Sequence, residues 1–135
     1  MAFFVWDNKY SVGIREIDEQ HKKLINILNE LYEAMQAQKA SDVLGKVLLE
    51  LVNYTKTHFA TEEKYMAQFG YPDEAAHKRE HVAFTDKVST FKSDFEEGRT
   101  AMSVSVAAFV KDWLIRHISG TDKKYGPFFN SKGLS

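Results

Sequence analysis

Five histidines and no cysteine occur in this chain of 135 residues. Any metal it holds must therefore be bound through imidazole, carboxylate or carbonyl groups. The missing thiols exclude disulfide frameworks, iron–sulfur clusters, cysteine nucleophiles and covalent haem attachment together. His58 with Glu62, and His77 with His81, each stand four residues apart, the spacing that puts two side chains on one face of an α-helix. A lone histidine on an apolar stripe is ordinarily a packed core residue. Two such pairs, with His21, His117 and Asp122 on other segments, instead suggest a cluster of buried nitrogen and oxygen donors.

The elements that must position these residues are helices. Glycine and proline number only seven and two and fall between long periodic stretches. The first stretch opens at Asp18, read as an N-cap, and steps through His21, Leu24, Leu28 and Leu31 at three- and four-residue intervals. The second carries Leu44, Leu48, Leu51, His58, Glu62 and Met66 up to Gly70-Tyr71-Pro72, a stop signal. The third places His77, His81, Phe84, Val88 and Phe91 on one stripe, and the fourth aligns Val106, Val110, Trp113 and His117. The predicted helices cover about 18–38, 42–69, 73–97 and 101–122, with an arm at 1–17 and a tail at 126–135 where Gly126-Pro127 ends helical order. Short connections force neighbours to run antiparallel, so the expected fold is all-α, an up-down-up-down four-helix bundle within a single domain.

Residues on antiparallel neighbours are level when their numbers average to the middle of the connecting loop. The midpoint of His21 and His58 falls in Lys39-Ala40-Ser41, and that of Glu62 and His81 at Tyr71-Pro72. Those of His81 with His117 and His77 with Asp122 fall at Gly98-Arg99-Thr100. All these donors are thus expected in one slab near the same end of the bundle, facing inward. Buried polar groups need partners, and a metal supplies them. Asp122 stands five residues after His117, which turns it away in an ideal α-helix. A π-like turn around Ser119-Gly120-Thr121 is expected to bring it back.

Seven donors exceed the roughly six positions of one octahedral ion, so two ions are implied. With both carboxylates and a solvent oxygen bridging, about eleven of about twelve positions are filled. One open position ringed by apolar side chains suits reversible capture of a small neutral diatomic. Imidazole-rich ligation suits iron, and ligand type alone also allows manganese, cobalt or zinc.

The set His21, His58-x-x-x-Glu62, His77-x-x-x-His81 and His117-x-x-x-x-Asp122 resembles the hemerythrin family, in particular its bacterial single-domain members. The flanking words are similar too: Val12-Gly13-Ile14, Ile17-Asp18-Glu19-Gln20-His21, His58-Phe59, Gly70-Tyr71-Pro72, and Trp113-Leu114 ahead of His117-Ile118. The likeness spans residues 6 to about 125. It implies a non-haem centre of two iron ions with an oxo or hydroxo bridge that reversibly binds dioxygen for carriage, storage, delivery or scavenging. On this likeness His77, His81 and His117 hold the saturated iron, His21 and His58 hold the iron with the open position, and Glu62 and Asp122 bridge. Leu24, Phe59, Trp113, Leu114 and Ile118 match the family's oxygen-pocket lining. Tyr125 matches a tyrosine common in the family, placed near the site or closing the core. The free ring nitrogen of each histidine is expected to find a carboxylate or carbonyl acceptor.

Two shorter patterns compete. His77-Lys78-Arg79-Glu80-His81 fits the H-x-x-E-H of a zinc peptidase class with Glu80 as base, but one zinc would leave the remaining histidines without a role. Glu74-Ala75-Ala76-His77 is a single copy of a spacing that ferritin-like oxidases use twice. The alternatives on the same bundle are an oxygen, redox or iron sensing module and a di-iron peroxidase or nitric-oxide-handling enzyme. The sequence shows no output domain, which puts sensing second, and a His-rich site favours release of intact dioxygen over O–O cleavage, so an oxygen-binding protein rather than an enzyme is expected. Eighteen basic and 19 acidic residues give a net charge of −1, which argues against a nucleic-acid or membrane surface. Phe3-Phe4-Val5-Trp6 is too short for a signal core, so the expected location is the cytoplasm. Any oxygen-accepting partner protein is not identifiable from these residues.

Overall fold

The computed structural model describes residues 4–98 and 102–135. Four helical rods make up most of the described residues, after an arm with a 3-10 turn at Asn8–Tyr10. The first is α1, Arg15–Gln36. The second runs from α2, Ala40–Tyr54, through a π-helical turn at Thr55–Phe59 into α3, Ala60–Phe69. The third is α4, Glu74–Glu96. The fourth begins as α5, Ser103–Trp113, continues as π-helix over Leu114–Thr121 and a 3-10 turn over Asp122–Lys124, and finishes as α6, Tyr125–Ser131. The predicted four-helix bundle is the observed architecture. α1 packs on α2 and α5, and α2 packs on α4. Phe84 of α4 meets Phe109 and Trp113 of α5 with ring centroids 5.1 and 4.5 Å apart.

The helix limits differ from the sequence expectation at several ends. α1 starts before Asp18, and Ile14 caps it without a side-chain bond. The Asp18 carboxylate instead holds the arm, accepting from the Ser11 hydroxyl at 2.5 Å and the Val12 amide at 2.8 Å. An acid in the first turn is favoured by the helix dipole wherever its side chain points. The predicted stop at Gly126-Pro127 is not where helix ends, since α6 runs through both residues. Pro127 lies in the first turn of α6, the helix position at which proline's fixed φ and missing N–H are best tolerated. Part of the predicted Gly98-Arg99-Thr100 break, and the predicted helix start at Ala101, lie outside the described residues. Gly70 ends α3 in the left-handed conformation, φ 69°, which glycine adopts at no steric cost.

Two hydrophobic cores divide the bundle along its length. The larger contains Leu24, Leu28, Leu48, Leu51, Phe59, Phe84, Val110, Trp113 and Leu114. The smaller contains Val12, Ile14, Ile17, Met66, Tyr71, Tyr125 and Phe129. Burying one such side chain stabilises the fold by about 1.5–3 kcal/mol. α6 reaches the arm closely enough that a Cβ on Gly126 would lie 2.3 Å from the Val12 carbonyl oxygen. Among the described residues no helix is long and apolar enough to cross a membrane.

Candidate metal centre

On every rod the donor residues sit where the two cores meet, His58 beside Phe59 at the edge of the large one. His21 follows Ile17 of the small core and precedes Leu24 of the large one. Glu62 lies between Phe59 and Met66, and His77 and His81 lie between Tyr71 and Phe84. His117 and Asp122 lie between Leu114 and Tyr125. The hydrophobic pattern that assembles the bundle therefore also delivers seven polar side chains to one layer, each at most 2% exposed. The helical defects adjust the aim. The π segment Leu114–Thr121 contains the turn expected around Ser119-Gly120-Thr121 and brings Asp122 back beside His117, Nε2 to Oδ1 2.9 Å. The second π segment, at His58, has only a weak sequence sign, the two helix-disfavouring threonines Thr55 and Thr57.

All seven expected donors come together, in two groups. One contains Glu62, His77, His81, His117 and Asp122; the other contains His21, His58, Glu62 and Asp122. Asp122 spans both: Oδ1 lies 2.8 Å from His77 Nε2, and Oδ2 lies 3.1 Å from His21 Nε2. Glu62 Oε1 also faces both, at 3.0 Å from His81 Nε2 and 3.2 Å from His58 Nε2. His21 and His58 point Nε2 at Nε2 across 3.1 Å. Ligands at right angles on one ion, with bonds of about 2.1 Å, stand about 3 Å apart, and these contacts have that length.

The buried acceptors make the case for a cation. His58 Nδ1 faces Gln20 Oε1 at 2.5 Å, His81 Nδ1 faces Glu63 Oε2 at 2.9 Å, and His117 Nδ1 faces Glu80 Oε1 at 2.9 Å. Each of those oxygens can only accept, so each neutral imidazole carries its proton on Nδ1 and turns a lone pair inward from Nε2. Lone pairs then meet carboxylate oxygens. Nε2 of His77, His81 and His117, Oε1 of Glu62 and both oxygens of Asp122 are buried without a hydrogen bond among the described residues. A positive ion between them satisfies all of these atoms at once, and the residues fit such a group.

Without a cation, protons must balance the same charges. Burial works against a charged His117, yet Asp122, Glu62 and Glu80 raise its pKa to about 9. Burial and Asp122 push Glu62 upward, but His58 and His81 outweigh them and hold it below the ordinary carboxylate range. Asp122 is likewise held well below that range, because His117, His21 and His77 overcome its burial. Burial lowers His58.

The three acceptors on the Nδ1 atoms share a placement. Gln20 adjoins His21, Glu63 adjoins Glu62 and Glu80 adjoins His81, and each serves a histidine on a neighbouring rod. One residue from an inward donor, a helix turns its side chain toward the flank. The expectation of an acceptor for every histidine holds for three; Nδ1 of His21 and of His77 has no partner among the described residues. Glu80 also accepts from the Thr121 hydroxyl at 3.0 Å, so it braces His117 and is not a free base. Glu74 pairs with Lys78 at 3.5 Å and stands outside both groups. Tyr125 donates to Glu62 Oε2. Burial, then the two carboxylates, keeps its phenol protonated.

Aromatic rings cover four of the imidazoles. Phe59 stacks on His81 at 3.9 Å and Trp113 on His117 at 3.8 Å. Tyr54 lies on His58 at 4.9 Å and Tyr125 on His77 at 5.5 Å. Leu24, Phe59, Trp113, Leu114 and Ile118 are all buried in the large core against this layer.

Fold and site define a helical-bundle protein with a buried, histidine-rich cation centre. The family model described as "Hemerythrin HHE cation binding domain" matches residues 12–129. The chain is 39% identical over 125 residues to a bacteriohemerythrin of Stenotrophomonas maltophilia, covering 93% of this chain and 80% of that protein. To a bacteriohemerythrin of Methylococcus capsulatus it is 34% identical, covering 94% and 97%. A wild-type hemerythrin crystal structure superposes with a TM-score of 0.85 at 33% identity, covering 93% and 97%. The chain belongs to the hemerythrin family.

Proposed function

We propose that this chain binds dioxygen reversibly at a centre of two iron ions held by His21, His58, Glu62, His77, His81, His117 and Asp122. The observation that carries the reading is the asymmetry of the two donor groups. They share Glu62 and Asp122, yet one offers three imidazoles and the other two. The His21–His58 side therefore has a donor fewer and room for a small molecule. Imidazole-rich ligation suits iron among the first-row metals, and membership of the family favours it. Iron bound there supplies the electrons on which reversible capture of dioxygen depends.

The chain's own residues set the conditions for release of the intact molecule. Asp122 and Glu62 tie the two sides together. Gln20, Glu63 and Glu80 fix the tautomer and tilt of three imidazoles. Tyr125, kept protonated, holds Glu62 from the small-core side. Leu24, Phe59, Trp113, Leu114 and Ile118 exclude water and the protons it carries, so a captured ligand can leave unaltered. This is a binding role, with no residue assigned to turnover.

The test is optical. The iron-loaded, reduced chain should gain a visible absorption band in air and lose it under argon through repeated cycles. His58→Ala, which removes one of the two imidazoles beside the vacancy, should abolish the cycling. A normal oxygenated spectrum in that variant would remove the basis of the assignment.

A further inference from the structure

Tyr54 has a hydroxyl that the fold does not employ. The residue is 4% exposed, and its oxygen is buried with no hydrogen-bond partner among the described residues. Its ring lies nearly parallel to that of His58, 20° between planes at 4.9 Å. Phe59 and Phe84 meet it edge to face at 6.0 and 6.4 Å. The ring is fixed by these three neighbours, so the hydroxyl cannot swing out to solvent. A buried donor left unpaired is costly and calls for a partner.

Its position makes the omission informative. Tyr125, the buried phenol on the three-histidine side, has a partner in Glu62. The Trp113 indole N–H is also buried without a partner among the described residues, but it stacks on His117, where the imidazoles number three. Tyr54 stands on His58, on the side with one donor fewer. A phenol hydroxyl is protonated at neutral pH and can donate.

We propose that Tyr54 is a ligand-positioning residue: its hydroxyl donates a hydrogen bond to a small molecule with an accepting end, dioxygen or a linear triatomic anion, held beside His21 and His58. The identity of dioxygen as one such ligand rests on the preceding reading; the donor role of Tyr54 does not.

The experiment compares the iron-loaded protein with Tyr54→Phe, using azide and dioxygen as separate probes after iron content and melting temperature have been measured. Both proteins should carry equal iron. Azide and dioxygen should leave Tyr54→Phe about tenfold faster, the change expected for loss of one hydrogen bond. The vibrational band of bound azide should shift in D2O for the parent and not for Tyr54→Phe, a signature that loss of packing alone would not produce. Unchanged release rates and an unchanged D2O response in a variant with normal iron would overturn the proposal, as would a parent that admits neither probe. If Tyr54→Phe fails to hold iron, the crystal structure of the parent with azide decides: the Tyr54 oxygen within hydrogen-bond reach of azide supports the role, and any other donor there contradicts it. Azide binding with the D2O shift but without dioxygen binding would sink the oxygen reading and leave Tyr54 in place.

Discussion

At the scale of residues, the layer between the two cores is controlled by which atom carries each proton. Glu80 shows this most directly, because its carboxylate accepts from both His117 Nδ1 and the Thr121 hydroxyl. Glu80→Ala should weaken metal affinity about 10–100-fold, the usual effect of removing such a brace. Glu80→Gln should weaken it far less, since an amide oxygen still accepts. Chelator competition on the two variants measures the difference. A metal-dependent peptidase activity abolished in Glu80→Gln would revive the zinc reading.

The same residues set the pH behaviour of the metal-free chain. His117 is raised from 6.5 to about 9, so its stabilising contribution is complete below about pH 6.5 and fades as pH rises through 9. Glu62 and Asp122 are lowered from 4.5 and 3.8, so theirs is present above those values and lost as pH falls. His58 is lowered from 6.5, which adds to the loss on the acid side. Urea midpoints of the metal-free protein should peak near pH 6.5 and decline toward about 9.5. A flat alkaline limb would show that His117 is not the proton store described.

Among the elements, the informative positions are those where regular helix fails. The five-residue gap from His117 to Asp122 made the π segment of the fourth rod legible, because only a widened turn returns both to one face. The widened turn at Thr55–Phe59 was not legible, since His58 and Glu62 keep an ordinary helical spacing. α6 was hidden by Gly126-Pro127, read as a stop when it begins a helix. Gly126 is needed there for closeness rather than for an unusual backbone angle, with Val12 O 2.3 Å from where a Cβ would stand. Gly126→Ala should cost about 1–3 kcal/mol. A melting temperature equal to that of the parent would mean α6 can retreat from the arm freely.

The bundle and its donor layer were readable from periodicity and loop midpoints because each rod repeats one order of small-core residue, donor and large-core residue. The braces on the Nδ1 atoms were not, because Gln20, Glu63 and Glu80 look like ordinary surface residues until the neighbouring rods are in place. Tyr54 likewise reads as one more apolar step in α2, and only its unpaired hydroxyl distinguishes it.

For the molecule as a whole, donors from all four rods meet between two separate cores, so cation binding and cohesion of the bundle are one equilibrium. A ligand that binds only the folded chain raises its stability with every increase in occupancy. The most direct measurement is therefore an anaerobic titration of the metal-free protein with ferrous iron, following bound iron and melting temperature together. Two equivalents per chain should bind, with the melting temperature rising until the second is in place. Saturation at one equivalent, or uptake of iron with no change in melting, would contradict a paired site built from these seven side chains.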